Sequence, residues 1–228
     1  MLGNVVVNLE MKVAPNPLLC DAVAPVVDPA VIRVPTKWRP INRKTTQLLR
    51  RETAAEAIAG LERDGRELFG LTRGQFSLVD LLEALLERTG PAALSISTWT
   101  AAHADVATMQ TLLESGRITG CRWLVDQTFV RRVPALAAQI RKQFGDDAIR
   151  VTKTHAKFCT IVNNEWQVAL RSSMNLNQNP RLESFQLGHD PELCAFLTAA
   201  LDDIWRRQDR SLQDRTSREQ SQWWHEEA

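Results

Sequence analysis

Cysteine is scarce, and what there is lies scattered. Cys20, Cys121, Cys159 and Cys194 are far apart, with no C-x-x-C pair among them. That distribution argues against a disulfide framework or a cysteine-based zinc site and for reduced thiols. No set of His, Cys and Asp residues has metal-ligand spacing, so neither a metal nor a cofactor is expected. Long apolar runs are missing as well. Nothing approaches the roughly 20 consecutive apolar residues that span a bilayer. The N-terminus lacks a charged segment followed by an apolar run and a small-residue cleavage site. A soluble, cytoplasmic protein with no membrane partner is the expectation. A net charge of one sign is also lacking: the formal value is +1, which decides nothing about partners. No internal repeat is present.

Hydrophobic residues make up 44% of the 228 and charged residues 24%, the composition of a soluble globular protein. The charge is unevenly placed. Between Ile32 and Arg51 stand Arg33, Lys37, Arg39, Arg43, Lys44, Arg50 and Arg51, with no acid. Such a block suits a polyanion-binding arm, because each phosphate contact releases condensed counterions. Arg43, Lys44, Arg50 and Arg51 are the candidate contacts, and a solvated helix face is the competing reading.

Frequent prolines before residue 41 make residues 1–43 an irregular N-terminal arm. Residues 44–75 read as a helical lead-in, because TTQLLRRETAAEAIAGL can place Leu48, Leu49, Ala55 and Ile58 on one face. A main domain is expected over 76–208 and a polar tail over 209–228. The main domain opens on a well-signed helix. Ser77 and Asp80 form a capping box, Phe76 and Leu81 a hydrophobic staple, and Gly90-Pro91 a stop. Strands follow at 93–99, 121–126 and 148–152, alternating with helices near 101–115 and 131–144. Such alternation is the signature of βαβ units. Next come a hairpin, 157–162 and 166–171 around Asn163-Asn164-Glu165, then a strand at 182–187 and a helix from Pro191 to Arg207. The fold class is therefore α/β, a mixed and largely parallel sheet flanked by helices.

Chemistry concentrates at the hairpin. His155 and Lys157 are two residues apart at the start of a strand, which points both side chains to one face. The returning strand ends in SSMN (172–175), which brings Ser173 and Asn175 alongside. An imidazole, a fixed cation and an amide with two N–H donors form a set suited to phosphate. Thr98, Thr100 and Asp126 stand at the ends of predicted strands, where ligand crevices of α/β sheets lie, and are candidate substrate contacts. Trp99 could stack on a base, although core packing is the default for a tryptophan here. His103 reads as structural, and His189 and His225 as surface residues.

The run from His155 to Asn175, H-x-K, a hairpin and S-x-N, with Glu183 eight residues further on, resembles the HxK…GSxN signature of the phospholipase D superfamily. Two positions depart from it: Val162 or Asn163 stands where the family carries Asp, and Ser172 where it carries Gly. The resemblance implies a phospholipase D-like domain and a metal-independent phosphodiesterase. His155 would be the nucleophile forming a phosphohistidine, Lys157 and Asn175 would bind phosphate, Ser173 would support them, and Glu183 would orient a histidine. One histidine must attack while another donates a proton. A chain with one HxK and no repeat then needs a second copy, so a homodimer is implied. The basic segment favours nucleic acid, DNA ahead of RNA, as substrate. Two alternatives are a phospholipase D-like module that binds nucleic acid without cutting it and a phospholipid phosphodiesterase.

Overall fold

A computed structural model describes residues 45–48, 53–178 and 180–208. The arm 1–43, Arg43, Lys44, Arg50, Arg51 and the tail 209–228 lie outside the described residues. The chain runs through β1 (Thr45–Leu48), α1 (Ala54–Ile58), β2 (Glu67–Thr72), α2 (Leu78–Thr89) and β3 (Ala92–Thr98). It continues through α3 (His103–Glu114), β4 (Ile118–Asp126), α4 (Gln127–Arg132), α5 (Pro134–Phe144) and β5 (Ile149–Thr152). The hairpin β6 (Phe158–Val162) and β7 (Gln167–Ser172), then β8 (Glu183–His189) and α6 (Pro191–Arg207), complete it.

These elements form one mixed sheet in the order β1-β2-β8-β7-β6-β3-β4-β5. The expected α/β class with a mixed sheet and flanking helices is present. Its pairing balance differs from the expectation of a largely parallel sheet. Only β1–β2, β3–β4 and β4–β5 are parallel, whereas β2–β8, β7–β8, β6–β7 and β3–β6 are antiparallel. Part of the reason is local: β6, β7 and β8 follow one another with no crossover helix between them, which leaves consecutive strands antiparallel.

Ser77 opens α2 as its spacing predicts. Its hydroxyl accepts the Asp80 backbone N–H (3.2 Å), and Asp80 accepts that of Ser77 (2.6 Å). Phe76 and Leu81 are both buried, and Gly90 ends the helix at φ 80°, a conformation that favours glycine. The helix expected over 131–144 is instead two. Asp126 caps α4, and the residue before Pro134 is pushed out of helical geometry, with Val133 at φ −136° and ψ 62°.

The largest correction concerns 44–75. Among the described residues of this segment helix is confined to Ala54–Ile58, while Thr45–Leu48 and Glu67–Thr72, expected in a helical lead-in, are strands of the sheet. The paired β-branched Thr45 and Thr46 favour extended backbone over helix. In β2, Gly70 lies under the ring of Phe185 from β8, and a Cβ there would collide with it. Phe185 then meets Phe76 edge to face at 5.7 Å, tying the start of α2 to the sheet.

Leu81, Leu82, Leu85, Ile96, Trp123 and Phe185 are among the fully buried side chains of the single core. α6 packs on β6 and β7, and α3 on β4. β5 is an edge strand, and its exposed amide is occupied: the Gln208 side chain accepts from Val151 N–H and donates to Val151 carbonyl, both at 2.8 Å. Cys121, Cys159 and Cys194 are free thiols. Among the described residues no helix is long and apolar enough to cross a membrane.

Candidate active site

The site is assembled at one end of the sheet, where β3 and β4 finish and β6 and β8 begin. Two buried groups hold the segment carrying His155. Ser97 Oγ donates to the Ala156 carbonyl (2.9 Å), and Asp126 Oδ2 accepts the Thr154 N–H (3.2 Å). Asp126 also accepts the Thr128 N–H (2.8 Å), so one carboxylate caps α4 and anchors the residue before His155. Thr98 donates to the Thr100 carbonyl (2.7 Å), which in turn accepts the Leu176 N–H (3.2 Å). Thr98 and Asp126 are therefore buried at the site with their polar atoms engaged by the chain itself. Together with Thr100 they position 154–156 and 174–177.

His155 lies in the connection just before β6, and Lys157, expected as the first residue of that strand, immediately precedes it. The ladder reaches back one further step, Ser172 N–H donating to the Lys157 carbonyl (3.2 Å), and His155 extends beyond that edge, exposed. Lys157 Nζ stands 3.4 Å from each imidazole nitrogen and 3.2 Å from the His155 carbonyl. Burial lowers the Lys157 pKa, and the nearby negative charge of Glu183 opposes that shift. A cation with few partners and partial desolvation is suited to an incoming anion.

Across from this pair, the chain leaving β7 alternates. Met174 and Leu176 are buried, which turns Ser173 and Asn175 the other way. Ser173 donates to Glu183 and accepts the Ser184 N–H (2.9 Å). Among the described residues Glu183 bonds to Ser173 rather than to His155 of the same chain. The Asn175 side-chain oxygen is buried with no hydrogen-bond partner, an acceptor left waiting in a crevice also lined by Thr72, Phe76, Asn177 and Glu183. The links run from His155 to Lys157, from Lys157 through its charge interaction to Glu183, and from Glu183 to Ser173 and to the crevice that Asn175 also lines.

Both departures from the signature have local roles. Ser172 Oγ donates to the Ser184 carbonyl (2.8 Å) and accepts the Met174 N–H (2.9 Å), closing the turn that delivers Ser173. Asn163 lies at the far end of the sheet. Its oxygen accepts Glu165 and Trp166 N–H at 3.0 and 2.8 Å, and its amide donates to the Thr89 and Pro91 carbonyls at 2.9 and 3.1 Å. An aspartate could not make the last two bonds.

Sequence reasoning overlooked Ser97 and Arg132. A buried serine at a strand end carries no spacing signal, and Arg132 acquires its place only from the break between α4 and α5. Trp99, expected in the core, is half-exposed beside His155, with ring centroids 6.0 Å apart. Arg132 lies over the Trp99 ring at 4.1 Å. His103 bonds to Gln139 of α5 (2.8 Å). Among the described residues no group of three or more His, Cys, Asp and Glu side chains converges as a metal site.

No family model and no curated protein matches the chain. Several solved structures align with it. Polyphosphate kinase from Porphyromonas gingivalis aligns over 67% of this chain at 14% identity, with a TM-score of 0.45. Phosphatidylserine synthase from Haemophilus influenzae Rd KW20 aligns over 63% at 17% identity and 0.44. NucT from Helicobacter pylori aligns over 62% at 12% identity and 0.40. The alignments span 27% of the kinase, 38% of the synthase and 97% of NucT. At such identities and scores, the reading of the site rests on its own geometry.

Proposed function

We propose that this chain is a metal-independent phosphodiesterase of the phospholipase D-like type that cleaves nucleic acid, preferably DNA, at a homodimer interface. The observation that carries the reading is the exposed His155 imidazole, flanked at 3.4 Å by Lys157, which in turn feels the charge of the Ser173-bonded Glu183. A phosphodiester bound there places its non-bridging oxygens against Lys157 and Asn175, whose amide donors answer negative charge developing on phosphorus. His155 attacks phosphorus through a neutral ring nitrogen. A P–N bond forms, the P–O bond to the leaving nucleotide breaks, and the departing oxygen takes a proton from His155 of the second copy. That second imidazole, now neutral, accepts a proton from water as the water oxygen attacks phosphorus and the P–N bond breaks. Both histidines return to their starting states. No step requires a metal.

Glu183 supports this cycle from Ser173. It fixes the hydroxyl, and with it the segment carrying Asn175, and its charge helps keep Lys157 protonated. The basic segment 32–51 supplies the argument for a polyanionic substrate over a phospholipid.

Labelled single- and double-stranded DNA incubated with EDTA tests the reading. Cleavage by the wild type, abolished in His155→Ala, is expected, together with a dimer by light scattering at active concentrations. Cleavage lost on adding EDTA contradicts the phosphohistidine route. Salt-sensitive binding by both proteins without cleavage promotes the non-cutting module, and turnover of a phospholipid alone promotes the lipid enzyme. Strictly monomeric protein that retains activity removes the shared site.

A further inference from the structure

We propose that Trp99 and Arg132 form a nucleobase-binding platform beside His155, taking the base of the single-stranded nucleotide that flanks the reacting phosphate. The inference rests on the phosphodiesterase reading for the identity of that phosphate. Its own basis is a preorganised stack that the hydrolytic steps do not use.

Arg132 is the last residue of α4, and its guanidinium is held by two hydrogen bonds. Nη2 donates to the Trp99 carbonyl (3.0 Å), Nε donates to Thr128 Oγ1 (3.1 Å), and Cζ lies over the Trp99 ring, 4.1 Å from its centroid. Thr128 is itself fastened to Asp126, the carboxylate that also anchors Thr154. One buried group therefore sets both the platform and the approach to His155. Arg132 is exposed and Trp99 half-exposed, so the outer face of the stack is open to solvent. The Trp99 ring lies 6.0 Å from the imidazole, which puts the platform one neighbouring group away from the reacting atoms.

The chemistry selects the ligand. Flat aromatic rings and arginine planes stack on bases whatever their identity, because every base offers a π-face. A base inside a duplex is already stacked on its neighbours and cannot reach the platform without unpairing. A single strand offers its bases freely. The same fixed cation attracts the adjacent phosphate, so the platform favours nucleotides over phospholipid headgroups, which carry no planar ring.

A comparable pair elsewhere in the molecule serves as the control. Arg63 lies over Trp166 at 5.4 Å, beside His189, but at the opposite end of the sheet. Binding of a labelled single-stranded oligonucleotide is compared with that of an abasic strand of equal length, in a His155→Asn background that leaves the strand intact. Trp99→Ala is expected to weaken binding of the base-bearing strand by roughly ten-fold or more, with little change for the abasic strand. Arg132→Lys, which keeps the charge and loses the plane, should show the same selectivity, while Trp166→Ala should change neither. Equal losses on both strands, or none on either, overturn the platform. Cleavage by the otherwise unaltered protein is read separately. Base-selective loss without cleavage keeps the platform and removes the enzyme reading, and cleavage without base-selective loss does the reverse.

Discussion

His155 and His189 stand at opposite ends of the sheet, each beside a tryptophan that carries an arginine. His155 meets Trp99 at 6.0 Å, and Arg132 covers that ring; His189 meets Trp166 at 5.8 Å, and Arg63 covers that one. The surroundings separate them. His189 is half-buried, its Nδ1 accepts the Gln167 N–H (3.2 Å), and Arg63 is paired with Glu165 at 3.6 Å. Burial lowers its pKa, Arg63 adds to the effect, and Asp190 opposes it. This histidine ties β8 to the start of β7. His155 is exposed, and beside it stands Lys157, 3.4 Å away, partly desolvated and under the opposing charge of Glu183. The trio of residue types is thus no mark of a site. What counts is whether the ring is exposed and what charge stands beside it.

The sharpest break of this comparison exchanges the two histidines' roles by deletion. His155→Ala should lower DNA cleavage by several decades, each decade being about 1.4 kcal/mol of barrier, with an unchanged thermal midpoint. His189→Ala should do the opposite, lowering the midpoint and sparing turnover per folded molecule. Equal effects on cleavage would erase the distinction. Next in size, Lys157→Met should reduce cleavage roughly 10²-fold, the scale for one lost charge-stabilising donor. Because burial lowers the Lys157 pKa, phosphate affinity should decline at a lower alkaline pH than an exposed lysine would give.

Asn163→Asp tests the far end. It brings back the acid of the signature but sets a carboxylate against the Thr89 and Pro91 carbonyls, removing two donated bonds. A stability loss of about 1–3 kcal/mol by denaturant unfolding, with no gain in activity, is expected. A gain in activity would mean that the position communicates with the site. The smallest effect is the pH dependence from His189. Its folded pKa lies below the ordinary 6.5, so on acidification the unfolded chain takes up the proton first. Stability is full above pH 6.5 and falls as pH drops through the lowered folded pKa. Midpoints measured down this range should fall more for the wild type than for His189→Gln.

Much of this was legible in the residues. The Ser77–Asp80 box, the 163–165 turn and the Pro191 helix start are local signals, decided within a few residues by backbone hydrogen bonding, and each matches the structure. The approach of Lys157 to Ser172 was legible because a hairpin converts sequence separation into proximity. The segment 44–75 was not, because its strands gain their hydrogen bonds from distant partners: β2 pairs with β8, more than a hundred residues away. Gly70 explains itself only once Phe185 lies across it. Trp99 was misplaced for a related reason. An apolar run before a predicted helix gives no hint that α4 will break at Val133 and deliver Arg132 onto the ring.

The sequence by itself determined the mixed α/β class and the hairpin that sets Ser172 against Lys157, because capping, alternation and a short turn act over neighbouring residues. The tertiary structure alone decided which pairings dominate the sheet, which histidine is left exposed, and what stands beside it. Those outcomes depend on burial and on contacts between segments far apart in the chain, where propensity and spacing carry no information.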